Sequence, residues 1–184
     1  MSIQLHHWGL AFLALALALP ASPAHVETSG TVPSIVGVPG IPNFHQVNEH
    51  IYRGGQPAAE AWPGLASLGV KVVIDLRRED EHSTAAEAHA VTEAGMNYFN
   101  VPMKGVVAPT NEQISKVLAL LNSQDTVFVH CQRGADRTGA VIACYRIGHD
   151  RWERKQALNE AKSFGMAWTQ LGLKQYIMMF QPAL

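Results

Sequence analysis

One cysteine, two arginines and an aspartate fall within seven residues in the run His130-Cys131-Gln132-Arg133-Gly134-Ala135-Asp136-Arg137-Thr138-Gly139. A thiolate at Cys131 is a nucleophile able to attack phosphorus and form a thiophosphate, which splits one hydrolysis into two displacements. Arg137, with five residues between it and the cysteine, offers a planar fork that matches two phosphate oxygens. The backbone amides of Gln132, Arg133, Gly134, Ala135, Asp136 and Arg137 are placed to bind the equatorial oxygens, where charge lies in the transition state. Thr138 is a hydroxyl donor for the cysteine sulfur as it leaves. Glycines at 134 and 139 permit tight backbone geometry. The chemistry these residue types support is phosphoryl transfer through a cysteine nucleophile.

Such a loop needs a strand before it and a helix after it, so that an anion sits at the helix N-terminus. Thr126-Val127-Phe128-Val129 supplies the apolar strand, and 140–147 reads as the outgoing helix. The helix dipole and Arg137 both favour the thiolate. Upstream, Val70 to Leu76 is a β-branched run typical of a strand buried on both faces. Asn97 to Val101 reads as a further strand. Phe44 to Tyr52 suggests a short hairpin, and Ala58 to Leu68 a short helix bent or divided at Pro63. Ser83 or Thr84 is placed to cap a helix ending at Gly95, and Thr110 to cap one reaching Leu121. Two more helices are expected, over 152–163 and 171–179. Alternating strands and helices imply an α/β domain with a central, mostly parallel sheet flanked by helices. Ligands of such sheets bind beyond the C-terminal strand ends, where 130–137 lies.

The chain has 184 residues, 14 lysines and arginines against 15 aspartates and glutamates, and is 47% hydrophobic. That composition fits one globular domain and gives no basic patch for nucleic acid. Trp8 to Leu19 is an unbroken apolar run, shorter than the roughly twenty residues that span a bilayer. Pro20 ends it, and Ser22-Pro23-Ala24 presents small residues for a signal peptidase. The expectation is a signal peptide over 1–24, a Pro/Gly-rich linker over 25–43, and one domain over 44–184. Export to the periplasm or medium follows, with no stable membrane span after cleavage. Cys131 and Cys144 are the only cysteines. Two turns of helix separate Cys144 from the loop, too far for a disulfide, so Cys144 reads as a small buried apolar residue. The histidines at 25, 45, 50, 82, 89 and 149 show no metal-ligand spacing, and neither a metal nor a cofactor is implied.

His130-Cys131-x5-Arg137-Thr138-Gly139 resembles the signature loop of the cysteine-dependent protein tyrosine and dual-specificity phosphatases. Tyr52-Arg53-Gly54-Gly55-Gln56-Pro57 is similar to a segment of the small dual-specificity members, and Val72 to Arg77 to their second strand. The resemblance covers about residues 44–180 and is nearest to an exported bacterial branch. It implies a dual-specificity-phosphatase-like fold, catalysis by Cys131 and Arg137, phosphate binding by 132–138, and a phosphorylated protein or small phosphate ester as partner of a monomer. Phosphotyrosine is the expected substrate, with phosphoserine and phosphothreonine beside it.

The family places an acid upstream of the cysteine, but 101–112 contains no aspartate. Glu112 is the nearest carboxylate, at a helix start where acids commonly serve the dipole. Asp136 is the other candidate, because Gly134-Ala135-Asp136-Arg137-Thr138 resembles the myotubularin loop, where that aspartate has been proposed as the acid. The alternative for Asp136 is a structural carboxylate bonding loop amides or Arg133. Arg133 is either a contact for acidic substrate parts or a solvated side chain. Lys104 either attracts phosphate or is solvated. His130 is expected to order the loop by hydrogen bonding, and Asp75 with Arg77 to form an ion pair near the rim. Three other functions use related features: an inositol phosphate or phosphoinositide phosphatase, a rhodanese-type sulfur transferase, and a catalytically idle phosphate-binding module. Arg137-Thr138-Gly139 has no part in sulfur transfer, which weighs against the second.

Overall fold

The computed structural model describes residues 37–182, with Ser2 the one described position before them. The expected signal peptide, and the expected linker as far as residue 36, lie outside the described residues. Five strands and six helices make up the rest: β1 (His45–Gln46), β2 (Ile51–Gly54), α1 (Trp62–Ser67), β3 (Val72–Asp75), α2 (Thr84–Glu93), β4 (Asn97–Asn100), α3 (Asn111–Leu121), β5 (Val127–His130), α4 (Asp136–Gly148), α5 (Arg154–Ser163) and α6 (Leu171–Met179). The strands form one sheet in the order β1-β2-β5-β3-β4. Only β1 is antiparallel to its neighbour; β2, β5, β3 and β4 run parallel. The α/β fold expected from the alternation of elements is the one observed.

Strand periodicity divides the core. Val127 and Val129 of β5, and Val72 and Ile74 of β3, face a cluster built with α3, α4, α5 and α6. Phe128 and Val73 face the opposite cluster, with Trp62, Leu65 and Val91 from α1 and α2. Side chains that alternate between two covered faces explain why these strands read as continuous apolar runs. Helix α4 is buried at nearly every position, as a helix enclosed by sheet and neighbouring helices must be.

Local signals account for most helix ends. Ser83 caps α2 by accepting from the Ala86 amide. Thr110 and Gln113 form a capping box at the start of α3. Pro63 lies in the first turn of α1, after a separate 3-10 turn over Ala59–Ala61, so the expected division occurs there. Residues 37–43 are packed where a linker was expected. Val38 and Ile41 are buried with Phe44 and Trp62, and the Gly55 amide donates to the Pro42 carbonyl. No helix among the described residues is long and apolar enough to cross a membrane.

Strand register sets the position of the site. Gly54 of β2 and Asp75 of β3 both pair with His130 of β5, so three parallel strands end level. The chain leaves β5 into 131–135, between the segments that follow β2 and β3, and enters α4 at Asp136.

Candidate active site

Cys131 and Cys144 are both free and buried. Burial pushes the Cys144 thiol well above its ordinary range, consistent with the inert core cysteine expected there. Cys131 begins the loop at the C-terminal end of β5. The outgoing helix starts four residues earlier than the sequence suggests, because Arg137, Thr138 and Gly139 form its first turn. Ala135 occupies the N-cap without a side-chain hydrogen bond, so the usual start signal is missing. The amides available to an anion are thus those of 132–135 together with the unpaired donors of the helix N-terminus.

Gly134 adopts φ +68°, and a Cβ there would stand 2.3 Å from the Gly54 carbonyl carbon and 2.5 Å from the Gly55 nitrogen. Only glycine fits this close approach. Its carbonyl accepts from Arg53 Nη2 at 2.8 Å and Asn43 Nδ2 at 3.1 Å. The Gln132 carbonyl accepts from the Gln56 amide at 3.2 Å. These bonds tie the loop carbonyls to the end of β2, to Gln56 just beyond it and to Asn43 ahead of β1, contacts that the similarity of Tyr52 to Pro57 to a family segment did not specify.

Arg137 is buried, and its Nη1 donates to Glu81 Oε2 at 2.6 Å, Met103 O at 3.3 Å and Leu76 O at 3.4 Å. Its Nε–Nη2 edge makes no protein hydrogen bond among the described residues, and such an edge has the geometry of a fork for two oxygens of an oxyanion. Burial alone would raise the Glu81 carboxyl. The hydrogen bond and charge of Arg137, with Arg78, reverse this and hold it below the ordinary carboxylate value. Glu81 lies in the charged run Arg77 to Glu81, which carries no motif of its own. Its place just beyond β3, on the ligand side of a parallel sheet, was the available signal.

Asp136 has both carboxylate oxygens engaged. Oδ1 accepts from the Ala167 amide at 2.8 Å, and Oδ2 pairs with Arg133 Nη2 at 2.5 Å. Of the structural contacts weighed for it, the one to Arg133 is present; the amide it holds is that of Ala167, outside the loop. Arg133 has 60% of its side chain exposed. Glu112 is exposed in the first turn of α3. Lys104 is also exposed. The Thr138 hydroxyl is buried without a partner, so the expected bond to the Cys131 sulfur is not formed.

His130 differs from expectation as well. Its ring stacks on Phe128 at 5.4 Å between centroids, on the α1–α2 face, because strand alternation turns it away from the loop. Nε2 lies 3.0 Å from Glu87 Oε1 but is not in line for a hydrogen bond. Next to it, Arg77 bonds Asp75 and Glu87, and Tyr98 donates to Asp75 at 3.0 Å. The expected Asp75–Arg77 ion pair forms in the interior beneath the site instead of at its rim. Burial would raise the Asp75 carboxyl, but His130 and Arg77 together bring it below its ordinary value. Asp75, His82 and Glu87 bring ligand-type atoms within 4.8 Å of one another. The Arg77 guanidinium spans both carboxylates, whereas His82 Nε2 and Glu87 Oε1 are buried without a hydrogen-bond partner.

The surroundings of the cradle are partly apolar. The 104–109 loop begins beside Met103, whose carbonyl Arg137 holds, and the segment before α6 is tied to Asp136 through Ala167. The two meet where Gly172 packs on the backbone of Val106 to Ala108. Val106, Val107, Leu171 and Trp168 stand exposed along this rim, Trp168 at 83%.

Comparison with known proteins agrees with this geometry. The family described as "DSP-PTPase phosphatase fused to NAD+ Kinase" matches residues 38–175. The dual specificity protein phosphatase TpbA of Pseudomonas aeruginosa strain UCBPP-PA14 is 27% identical over 157 residues, covering 80% of this chain and 62% of TpbA. The inositol diphosphatase DSP5 of Arabidopsis thaliana is 28% identical over 138 residues, covering 72% of this chain and 67% of DSP5. Among solved structures, the core catalytic domain of the PP-IP phosphatase SIW14 from S. cerevisiae superimposes with a TM-score of 0.69 at 26% identity, covering 79% of this chain and 89% of that domain. A nucleophile loop at level strand ends, a forked arginine and a match over most of the chain lead to one conclusion: this chain belongs to the DSP-PTPase phosphatase family.

Proposed function

We propose that the chain hydrolyses phosphate monoesters through a phosphocysteine intermediate on Cys131. The observation that carries this is the joining of Cys131, the helix N-terminus of α4 and the unpaired edge of Arg137 in one loop. A phosphate dianion bound by that edge and the 132–137 amides is aligned for attack by sulfur. The S–P bond forms as the ester P–O bond breaks, and the departing oxygen takes a proton from Asp136. Water then attacks the thiophosphate and gives its proton to Asp136, the S–P bond breaks, and inorganic phosphate leaves. For Asp136 to donate, Arg133 must release Oδ2. Arg133 is largely exposed and Asp136 buried; solvent around the guanidinium weakens the pair, and an incoming dianion competes for the same guanidinium.

Phosphotyrosine is the substrate this reading favours, with phosphoserine and phosphothreonine beside it. The exposed Trp168, Leu171 and Val106 around the mouth suit the ring and apolar neighbours of an aryl phosphate. TpbA, named a dual specificity protein phosphatase, supports the same choice. A second reading, an inositol phosphate phosphatase, draws support from DSP5 and SIW14 and from exposed Arg133 and Lys104.

Hydrolysis of para-nitrophenyl phosphate that vanadate inhibits and Cys131→Ser abolishes is the expected result. A wild type that binds phosphopeptide without turnover overturns it in favour of a binding module. Phosphate release from phosphotyrosine peptides and from inositol phosphates, compared at equal concentration, separates the two substrate classes. We further propose that the domain is exported, supported by the apolar run Trp8 to Leu19 and the small residues ending at Ala24. A mature N-terminus at His25, read by sequencing the exported protein, is the expected check.

A further inference from the structure

We propose that Asn43 is a positioning residue of this site: by holding the Gly134 carbonyl together with Arg53, its side-chain amide aims the Ala135 N–H at the phosphate. The inference deepens the cysteine-phosphatase reading and rests on it.

Asn43 and Arg151 are the two non-glycine residues with positive φ among the described residues, Asn43 at +52°. Asparagine tolerates this left-handed conformation better than most side chains do. Its neighbours hold it there. The Pro42 carbonyl accepts from the Gly55 amide at 2.7 Å, and Phe44 is buried with its ring stacked 5.5 Å from that of Tyr52. Asn43 Nδ2 donates to Gly134 O at 3.1 Å and to Phe164 O at 3.0 Å. Both partners are carbonyl oxygens, so only the nitrogen of the side-chain amide can face them.

The second bond supports the first. Phe164 is the C-cap of α5, and the Arg53 guanidinium lies over its ring, 4.2 Å from the centroid. Arg53 is 1% exposed and donates from Nη2 to the same Gly134 oxygen at 2.8 Å. Asn43 thus holds the carbonyl directly and, through Phe164, fixes the surface on which the other donor lies.

This clamp controls the peptide that follows. Gly134 has no side chain to orient it, so its carbonyl is directed by these two partners. The 134–135 peptide is trans and planar. An oxygen drawn toward Asn43 and Arg53 therefore turns the Ala135 N–H to the opposite side. That N–H has no acceptor among the described residues, although Ala135 is only 4% exposed. A buried donor at the entry of a helix is completed by an anion seated there. Once released, the peptide can rotate, and the anion loses a donor while the sheet and helices stay packed.

The test is the binding of inorganic phosphate to the full chain, measured by calorimetry and by the amide resonance of Ala135. Neither reading needs turnover, so the result stands whether or not the protein hydrolyses para-nitrophenyl phosphate. In the wild type, phosphate moves the Ala135 amide proton downfield. Asn43→Gly keeps the left-handed backbone and removes the clamp. Its dissociation constant for phosphate rises about tenfold and most of the Ala135 shift is lost, while the thermal midpoint stays within about 5 °C of wild type. Asn43→Asp, of the same size but without a donor, gives the same two losses. Wild-type phosphate affinity and an unaltered Ala135 shift in a folded Asn43→Gly protein overturn the proposal and leave Asn43 a bridge to α5 alone. Should Asn43→Gly fail to fold, Asn43→Asp decides by the same two readings.

Discussion

Asp136 is asked to do two things with one carboxylate. Its Oδ1 anchors the Ala167 amide, and its Oδ2 pairs with Arg133, yet a leaving oxygen needs a proton from the same group. The proposed mechanism divides these duties between the two oxygens. Asp136→Asn keeps the shape while removing the proton donor. It should lower kcat/KM for phenyl phosphate by about a hundredfold and change para-nitrophenyl phosphate, a good leaving group, far less. Glu112→Gln should leave both unchanged. A uniform loss across leaving groups in Asp136→Asn would reduce the residue to an anchor. Gly134 gives a sharper geometric test. Gly134→Ala drives a Cβ into the Gly54–Gly55 backbone and forces a left-handed alanine, so kcat/KM should fall by about a hundredfold or more through misplacement of the loop amides. At this scale Cys131, Arg137 and the glycine at 134 were legible in the sequence, because their spacing is local. Arg53, 81 residues from Gly134, and Glu81, 56 residues from Arg137, were not, because nothing periodic or adjacent marks a contact made by folding.

The turn after β3 is the element that holds Arg137 in place. Glu79–Glu81 forms a 3-10 turn, and Glu81 Oε2 accepts from the Arg78 amide at 2.8 Å as well as from Arg137. Glu81→Gln removes the charge that orients the arginine. It should raise KM for phosphate esters roughly tenfold, a modest effect because solvent screens an exposed carboxylate. The pH dependence has a defined sign. Glu81 sits below its ordinary 4.5 in the folded protein. Its contribution to stability is therefore complete above the ordinary value and is lost as pH falls through the lower folded one. Thermal midpoints of wild type and Glu81→Gln should differ near neutral pH and converge on acidification below pH 4.5. Helices α2 and α3 were legible because Ser83 and Thr110 are ordinary caps. The start of α4 was not, since Ala135 caps nothing and Gly139 lowers helix propensity just where the helix begins. That glycine is used for packing: a Cβ there would meet Ala161 and Met166 at 3.3 Å.

The whole molecule places its catalytic loop where the two core clusters meet, and residues 37–43 help to close that junction. Sequence composition made this segment look like linker, since Val38-Pro39-Gly40-Ile41-Pro42 carries no strand or helix pattern. Its burial comes from long-range packing. Val38 and Ile41 enter the cluster with Phe44, Trp62 and Phe128. Asn43 reaches both Gly134 O at 3.1 Å and Phe164 O at 3.0 Å, and so ties the cradle to the end of α5. Two truncations test the boundary. A protein starting at residue 37 should match the full chain in thermal midpoint and in para-nitrophenyl phosphate hydrolysis. One starting at residue 44 loses the burial of Val38 and Ile41, about 3–6 kcal/mol together, which corresponds to a drop of roughly 10–20 °C for a domain of this size. Its KM should rise as well, because the Gly134 carbonyl then keeps Arg53 alone. Equal midpoints for the two proteins would return residues 37–43 to the role of linker.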